Sequence, residues 1–369
     1  MIDWGEVRAK FPVTRRSVYL NTAGAGPLAD STARAAAEYY DQMMNDGDVH
    51  WDEWLARREE VRQRVAAFIN AEPDEIGLTT NTSSGMNLIV DALEKHGEVI
   101  SCDLEFPVST IPWMHRRIPV HLVKSIEGVV RPEDLRAAMN TRTGIFSLSY
   151  VQFSNGFRSD LESLASIKGR HALVINASQA AGVLEIDVKR MKIDALCATG
   201  HKWMLSGYGS GFVYINKEIL AQSRPRSIGW LSVQDPYAVR NNEVYLRQDL
   251  SARAELGCPS FAAVFALDAS IALMKSIGAA NIEARALELN RRLTARLNEI
   301  GRRVLSPLEN ESFRSAETLV AADEPARIVS QLAERRIFVT EKPEGFRVST
   351  HFFNNEDDIE ALIESLRIL

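Results

Sequence analysis

Apolar segments typical of β-strands alternate with helical segments through the first two thirds of this chain of 369 residues. The strand-like runs are short and almost continuously apolar, as in strands buried on both faces: "IGLTT" (76–80), "EVISCD" (98–103), "VHLVKS" (120–125), "GIFSLSYV" (144–151), "HALVIN" (171–176), "IDALCAT" (193–199) and "GFVYIN" (211–216). Such alternation is typical of a mostly parallel sheet with helices on both faces. The pattern therefore predicts an α/β fold.

The pattern changes near residue 250. Two long helical segments follow each other, 259–278 and 281–301, and three short strand-like segments lie between them and a last helix. We therefore predict an N-terminal segment (1–18) that packs near the small domain, a large domain (19–250) and a smaller α+β domain (251–369).

Composition and charge narrow the classes of function. The formal net charge is −6, so no basic surface for nucleic acid or an anionic membrane is indicated. Cys102, Cys197 and Cys258 are isolated in sequence, which is typical of a reducing compartment. The first 14 residues contain no continuous apolar run, so we expect no signal peptide or membrane span there. We expect a cytoplasmic protein that acts on a small molecule.

The stretch "ATGHKWMLSGYGSG" (198–211) places Lys202 between two apolar runs, so the chain around it should be mostly buried. Burial lowers the pKa of an ammonium group and yields a nucleophilic amine. Lys202 is therefore a candidate for Schiff-base chemistry.

A possible anion site lies in "TTNTSSGMN" (79–87), between a strand and an amphipathic helix. Thr82, Ser83 and Ser84 would bring hydroxyl groups and free backbone N–H groups to the helix N-terminus. The same residues also fit a helix cap that binds no ligand.

Polar residues also follow two of the predicted strands. Asn176 and Gln179 come at and just after the run 171–176, and Asn155 with Gly156 follows the run 144–151. Open α/β sheets bind ligands beyond the carboxyl ends of their strands, although both segments also fit simple polar turns.

Five motifs together resemble the class V aminotransferase family of pyridoxal-phosphate enzymes: "TNTSSGMN" (80–87), "LEFPVSTIPW" (104–113), "INASQAAG" (175–182), "ATGHKW" (198–203) and "GFRVSTHFFN" (345–354). This family includes cysteine desulfurases, selenocysteine lyases, kynureninase and isopenicillin-epimerase-like proteins. The resemblance covers nearly the whole chain. It implies the fold-type-I transferase fold, the cofactor pyridoxal 5′-phosphate, and a homodimer whose subunits share each site.

The resemblance also implies roles for individual residues around the cofactor. Lys202 would form the internal aldimine, and the phosphate would be held by Thr82, Ser83, Thr199 and His201. These hydroxyl and ring groups suit an anion at the start of a helix.

Around the cofactor's ring, the resemblance assigns Gln179 and Asn155 to the phenolic oxygen and Asn176 to the pyridine nitrogen. Phe106 would stack on the pyridine ring, and an ordinary core phenylalanine fits the same spacing.

The substrate side involves two further residues. Arg347 matches the arginine that binds the substrate carboxylate, whereas the alternating pattern "FRVST" also fits an exposed strand residue. Asn21 lies in "YLNTAGAGPL" (19–28), which resembles the entrance loop near the substrate. We therefore expect an amino-acid substrate that reacts at Cα through an external aldimine.

Three departures from the family pattern bear on the reaction. Asn176 stands where the family has an aspartate, and an amide offers no negative charge to the pyridine nitrogen. No cysteine follows Cys258, although desulfurases use one just before the carboxylate-binding arginine. Cys258 itself replaces a threonine that reaches the neighbouring subunit's phosphate.

These departures favour elimination or epimerisation over transamination, and they argue against a persulfide-forming desulfurase. A true aminotransferase stays open, as does a catalytically impaired protein that keeps the fold and binds the cofactor. Other chemistries lack their sequence signals. "GYGSG" (207–211) runs into a strand instead of opening a helix, no paired histidines suit a metal, and no GxSxG motif is present. We therefore predict no metal.

Overall fold

The computed structural model describes residues 2–369. Its helices are α1 (Trp4–Ala9), α2 (Asp30–Asp46), α3 (Trp51–Ile69), α4 (Thr82–Leu93), α5 (Ile111–His115), α6 (Pro132–Ala137), α7 (Leu161–Ile167), α8 (Lys217–Gln222), α9 (Ser251–Ala254), α10 (Phe261–Ile277), α11 (Ala279–Glu299), α12 (Pro325–Glu334) and α13 (Glu356–Ile368). Its strands are β1 (Val18–Tyr19), β2 (Ile76–Thr79), β3 (Glu98–Cys102), β4 (Val120–Val123), β5 (Thr143–Ser149), β6 (Ala172–Asn176), β7 (Ala195–Thr199), β8 (Gly211–Ile215), β9 (Glu317–Ala321), β10 (Ile337–Phe338), β11 (Thr340–Lys342) and β12 (Gly345–Ser349).

The main sheet has seven strands in the order β2-β8-β7-β6-β5-β3-β4. The five strands from β7 to β4 run parallel to one another, whereas β8 runs antiparallel to both β7 and β2. Strands β3 and β5 to β8 are buried along their whole length, as their apolar runs predict. The predicted α/β fold with a mostly parallel sheet is confirmed.

The register of the central strands decides which residues meet at the edge of the sheet. Ser149 at the end of β5 lies opposite Asn176 at the end of β6, and Asn176 lies opposite Cys197 in β7. Because parallel strands end at the same edge, the polar segments that follow these strands lie side by side.

A smaller antiparallel sheet, in the order β11-β12-β9, occupies the C-terminal part of the chain. Its core takes apolar side chains from α11, α12 and α13, and it includes Leu20 from the N-terminal region. Strand β1 pairs in parallel with β10, and Arg8 donates to both carboxylate oxygens of Asp358 at 2.7 and 2.9 Å. These contacts tie the N-terminal segment to the C-terminal part.

Helix α10 does not follow the predicted domain boundary at residue 251. Its side chains Phe261 and Phe265 are buried with Trp54 and Val61 of α3, in the core of the main sheet. Apolar residues on all sides of α10 make this burial favourable. The division of the chain into domains stays a prediction.

Among the described residues, no single helix is long and apolar enough to cross a membrane, and one pair, α10 with α11, passes that test only as a helix bent by 81°.

A buried ion pair joins α3 to the start of the sheet. Glu255, which follows α9, accepts hydrogen bonds from Arg62 Nη1 and Nη2 at 2.5 and 2.9 Å and from the backbone N–H of Leu78 at 2.9 Å. Both side chains are almost inaccessible to solvent.

Glu255→Gln should lower the free energy of unfolding by about 3 kcal/mol, because it removes the buried counter-charge of Arg62 and leaves only the half-exposed carboxylate of Glu59. Chemical denaturation monitored by circular dichroism measures this loss. Glu60→Gln is the matched control, since Glu60 forms an exposed pair with Arg64 and its loss should cost less than about 1 kcal/mol. Equal losses in the two variants would contradict a structural role for the buried pair.

Candidate active site

A cavity of about 240 Å³ opens at the carboxyl ends of β5, β6 and β7. It brings together residues from distant parts of the chain: Asn81, Thr82, Ser83, Phe106, Val108, Ser149, Val151, Phe153, Asn176, Ser178, Gln179, Thr199, His201 and Lys202. Eight of the residues singled out in the sequence line this one cavity. The site therefore forms where the register of the parallel strands places it.

Lys202 lies on the turn between β7 and β8 and reaches into the cavity. Burial lowers the pKa of its ammonium group to about 8, and Arg347 and Lys342 add to this effect while Glu317 opposes it. The entrance loop passes directly beside it, because Gly26 donates its N–H to the His201 carbonyl at 2.7 Å. A Cβ atom on Gly26 would lie 2.2 Å from the Lys202 carbonyl oxygen, so only glycine allows this approach.

The four residues predicted to hold a phosphate lie at one end of the cavity. Thr82 starts helix α4, and its hydroxyl lies 2.6 Å from that of Ser178. Thr199 Oγ1 lies 2.7 Å from Nδ1 of His201. Together with Ser83 at the first turn of α4, these groups offer hydroxyls and a helix N-terminus to an anion.

His201 is a neutral ring at ordinary pH. Burial, together with the nearby charge of Lys202, lowers its pKa to about 4. Its ring stacks on Tyr208 with a centroid distance of 4.4 Å and an interplanar angle of 15°. A ring fixed in this way can donate one hydrogen bond without adding positive charge beside Lys202.

Asn176 has a fixed amide orientation at the base of the cavity. Its Oδ1 accepts the backbone N–H of Ser178 at 3.0 Å, and its Nδ2 donates to Ser109 Oγ at 3.1 Å. One amide hydrogen stays free for a ligand. The side chain can thus donate to a ligand in the cavity through this hydrogen.

Gln179 joins the cavity to the entrance loop. Its Nε2 donates to the Ala23 carbonyl at 3.1 Å, and its Oε1 accepts from Trp203 Nε1 at 2.7 Å. Its second amide hydrogen is available to a cofactor oxygen. The side chain therefore has the position and the donor that its predicted role requires.

Phe106 is 47% exposed and its ring centroid lies 6.0 Å from Lys202 Nζ. It packs edge-on against Phe153, with a centroid distance of 5.1 Å. The core-phenylalanine alternative is therefore wrong, because this ring lines the cavity.

Asn155 does not join the site, contrary to the sequence-based expectation. Its Nδ2 donates to the Gly128 carbonyl at 2.8 Å, and its Oδ1 accepts the N–H of Phe157 at 3.0 Å. Gly156, with φ of 74°, completes the turn. Asn155 shapes this turn instead of contacting a cofactor, since both ends of its amide are engaged there.

Arg347 and Asn21 lie beside the cavity and not on its wall. Arg347 is only 4% exposed and donates from Nη1 to the Phe153 carbonyl at 2.9 Å, so the exposed-strand alternative is wrong. It also forms an ion pair with Glu317 at 3.3 Å. Asn21 accepts a hydrogen bond from Thr340, which lies opposite Arg347 in the small sheet.

A sequence model of the aminotransferase class-V family matches residues 18–362. The chain belongs to the class-V aminotransferase family.

Individual relatives agree with this assignment. The chain is 27% identical over 390 residues to a probable cysteine desulfurase of Methanothermobacter thermautotrophicus, covering 98% of this chain and 96% of that protein. It is 26% identical over 407 residues to the isopenicillin N epimerase of Amycolatopsis lactamdurans, covering 99% and 98%. The apo structure of a cysteine desulfurase from Thermococcus onnurineus superposes with a TM-score of 0.90 at 23% identity, covering 100% of this chain and 98% of that one.

Membership in the class-V aminotransferase family makes this chain a pyridoxal-phosphate-dependent enzyme with the fold-type-I architecture. The cavity fits that cofactor by its own chemistry: it combines an amine of lowered pKa, an anion-binding helix start and an exposed aromatic ring. The desulfurases among the relatives do not support the predicted exclusion of desulfurase chemistry.

Sequence reasoning missed several residues of this class-V site. Ser178 and Phe153 line the cavity. Both lie in segments in which the sequence predicts site roles only for neighbouring residues, Asn176 and Gln179 in one segment and Asn155 in the other. Glu317 was missed because a charged residue at the start of a strand usually faces solvent. Lys342 was missed because its strand is short and polar.

The rate at which pyridoxal phosphate attaches to the apo-protein should rise with pH up to about 8 and level off near pH 9, because only the neutral amine reacts. Stopped-flow absorbance measures this rate, and Lys202→Ala should show no attachment. Glu317→Gln should move the midpoint to lower pH, since the negative charge of Glu317 raises the pKa of Lys202. A rate that still rises above about pH 10 would contradict the lowered pKa.

Proposed function

We propose that this enzyme transforms an amino acid at its Cα atom by elimination or epimerisation in preference to transamination. The observation that supports the proposal is the amide of Asn176, which lines the cavity with one free N–H and no negative charge, and which we assign to the cofactor's ring nitrogen. The other roles in the proposal are assigned to residues that line the cavity or lie beside it.

Pyridoxal phosphate supplies, when bound, an aldehyde that condenses with amines and a ring that withdraws electrons from the attached carbon. In the proposal Lys202 is the amine that holds it, and Thr82, Ser83, Thr199 and His201 hold its phosphate. Once the substrate amine has displaced Lys202, the freed side chain moves the proton at Cα. Its pKa of about 8 suits both taking up and returning that proton near neutral pH.

Asn176 limits how strongly the ring can withdraw electrons. With its Oδ1 bound to the N–H of Ser178, Asn176 would offer the ring nitrogen its remaining N–H, which would pair best with the unprotonated form. The carboxylate of Glu105 accepts hydrogen bonds from Ser149 and Gln152, and burial raises its pKa, so it does not replace the missing aspartate. A reaction that expels a leaving group, or returns the proton at once, depends least on a long-lived carbanion.

The substrate carboxylate is assigned to Arg347. Arg347 donates to the carbonyl of Phe153, which itself lines the cavity, and the Nε of Arg347 has no hydrogen-bond partner among residues 2–369. A guanidinium can bind a carboxylate through two parallel hydrogen bonds, which would orient Cα above the ring. Asn21, which accepts a hydrogen bond from Thr340 next to Arg347, would limit the space for the substrate there.

The formation of a persulfide on one of the protein's own cysteines does not fit the proposal. Cys102 and Cys197 are buried, and none of the three cysteines lines the cavity. Strands β11 and β12 are joined by the tight turn Pro343–Glu344, so no long loop precedes Arg347. Sulfur released from a substrate would therefore have to leave the site without first being transferred to a cysteine of the protein.

Two alternatives stay in view. Transamination would require a second, keto-acid substrate and is common in the family. A protein that only binds the cofactor would keep the phosphate site but would not need a lysine of lowered pKa. The homodimer and the cytoplasmic location expected from the sequence are part of the proposal as well.

Asn176→Asp should raise the rate of proton loss from Cα by about ten- to a hundred-fold, because a carboxylate would keep the ring nitrogen protonated. Exchange of the Cα hydrogen with deuterated water, followed by nuclear magnetic resonance, measures this rate for a panel of amino acids. Asn155→Asp makes the same change outside the cavity and should leave the exchange rate unaltered. An unchanged exchange rate in Asn176→Asp would contradict the argument that Asn176 weakens the electron withdrawal by the cofactor's ring.

With a good substrate, the enzyme alone should release ammonia and a 2-oxo acid over many turnovers, or invert Cα without releasing either. Ammonia assay and chiral chromatography separate these outcomes, and Lys202→Ala should show neither. A single turnover that stops with the cofactor in its amine form, and resumes when a keto acid is added, would establish transamination instead.

A further inference from the structure

Glu317 is a buried carboxylate that none of the roles above uses. Its side chain is fully inaccessible to solvent, and neither carboxylate oxygen has a hydrogen-bond partner within the described residues. Its nearest opposite charge is Arg347, with 3.3 Å between Nη1 and the carboxylate. Such a group is costly to bury, because burial opposes ionisation and raises its pKa.

The register of the small sheet places Glu317 on the face that serves the active site. Arg347 lies opposite Thr340 on one side and Leu319 on the other. Side chains two residues apart in a strand share a face, so Glu317 and Lys342 project on the same side as Arg347. Two cations and one carboxylate therefore meet beside the cavity.

Phe153 connects this charged group to the cavity. Arg347 donates to its backbone carbonyl at 2.9 Å, and Lys342 Nζ lies 4.5 Å from the centroid of its ring. Phe153 itself lines the cavity. Burial and the charge of Arg347 lower the pKa of Lys342 to about 8, so an added anion would stabilise its charged form.

The balance of charge in this group limits what can bind. With Lys202 neutral, Arg347 and Lys342 carry two positive charges. We take Glu317 as the ionised partner of Arg347 at 3.3 Å, because the charges of Arg347 and Lys342 favour its charged form against the effect of burial. One substrate carboxylate brings the sum to zero. A second carboxylate would leave an unpaired negative charge in a desolvated place, next to Glu317.

We propose that Glu317 restricts this enzyme to amino acids with a single carboxylate, and that Lys342 supplies the second positive charge which that carboxylate requires. The inference rests on the proposed role of Arg347 as the carboxylate-binding residue. Glu317 and Lys342 are specificity residues here, because they act through charge and not on the reacting bond.

Two pairs of amino acids that differ only in charge test the proposal: asparagine with aspartate, and glutamine with glutamate. Their dissociation constants are measured on the cofactor-loaded protein by calorimetry and by the absorbance of the bound cofactor. In the natural protein each acid should bind at least about tenfold more weakly than its amide. Glu317→Gln should reduce that ratio by about tenfold or more.

Glu341→Gln is the matched control. Glu341 stands in the same hairpin but is exposed and faces the other side of the sheet, so the variant should keep the natural ratio. Equal ratios in the natural protein and in Glu317→Gln, or failure of both amides to bind, would overturn the proposal.

Lys342→Gln provides an independent measurement, which decides the question if Glu317→Gln does not fold. It should weaken the binding of asparagine and glutamine by about tenfold, with an unchanged cofactor spectrum. Unchanged affinity would contradict the charge balance. Failure of the proposed function would look different, because a transaminase would convert the bound cofactor to its amine form when an amide is added, whatever the ratio of the dissociation constants.

Discussion

The desolvation of Lys202 is the constraint on which the rest of the site depends. An amine serves this chemistry only in its neutral form, and burial after the end of β7 lowers the pKa of Lys202 to about 8, so that a fraction of the amine is neutral near pH 7. The close passage of the entrance loop at Gly26 and the neutral ring of His201 both help to keep water and charge away. Glu317 opposes this effect, so the lysine stays within reach of protonation during the reaction.

The two sheets divide the work of the site between them. The parallel strands β5, β6 and β7 present the cofactor-binding groups, because their ends align at one edge. The small antiparallel sheet presents Arg347, Lys342 and Glu317 from a single face. Phe153 connects the two groups: its carbonyl accepts from Arg347, 194 positions away in sequence, its ring lies next to Lys342, and the same ring packs against Phe106 in the cavity. In the functions we propose, the chemistry at Cα and the choice of substrate consequently depend on different parts of the fold.

Much of this arrangement could be predicted from the sequence, and the misses have physical reasons. Continuous apolar runs identified the strands, but the direction of β8 was not predictable because burial is the same in parallel and antiparallel pairs. Asn155 was assigned to the cofactor, yet an asparagine before glycine can satisfy its amide within its own turn. The sequence does not predict a buried Glu317, because buried carboxylates are rare. Only the register of β9 with β12 brings Glu317 next to Arg347.

The central claim is that Lys202 is the residue that holds the cofactor. Reduction of the cofactor-loaded protein with borohydride, followed by proteolysis and mass spectrometry of the peptides, tests it directly. The account predicts a pyridoxyl adduct on the peptide that contains Lys202, and on that lysine alone. An adduct on Lys342 or another lysine, or a protein that carries no adduct after incubation with pyridoxal phosphate, would contradict it.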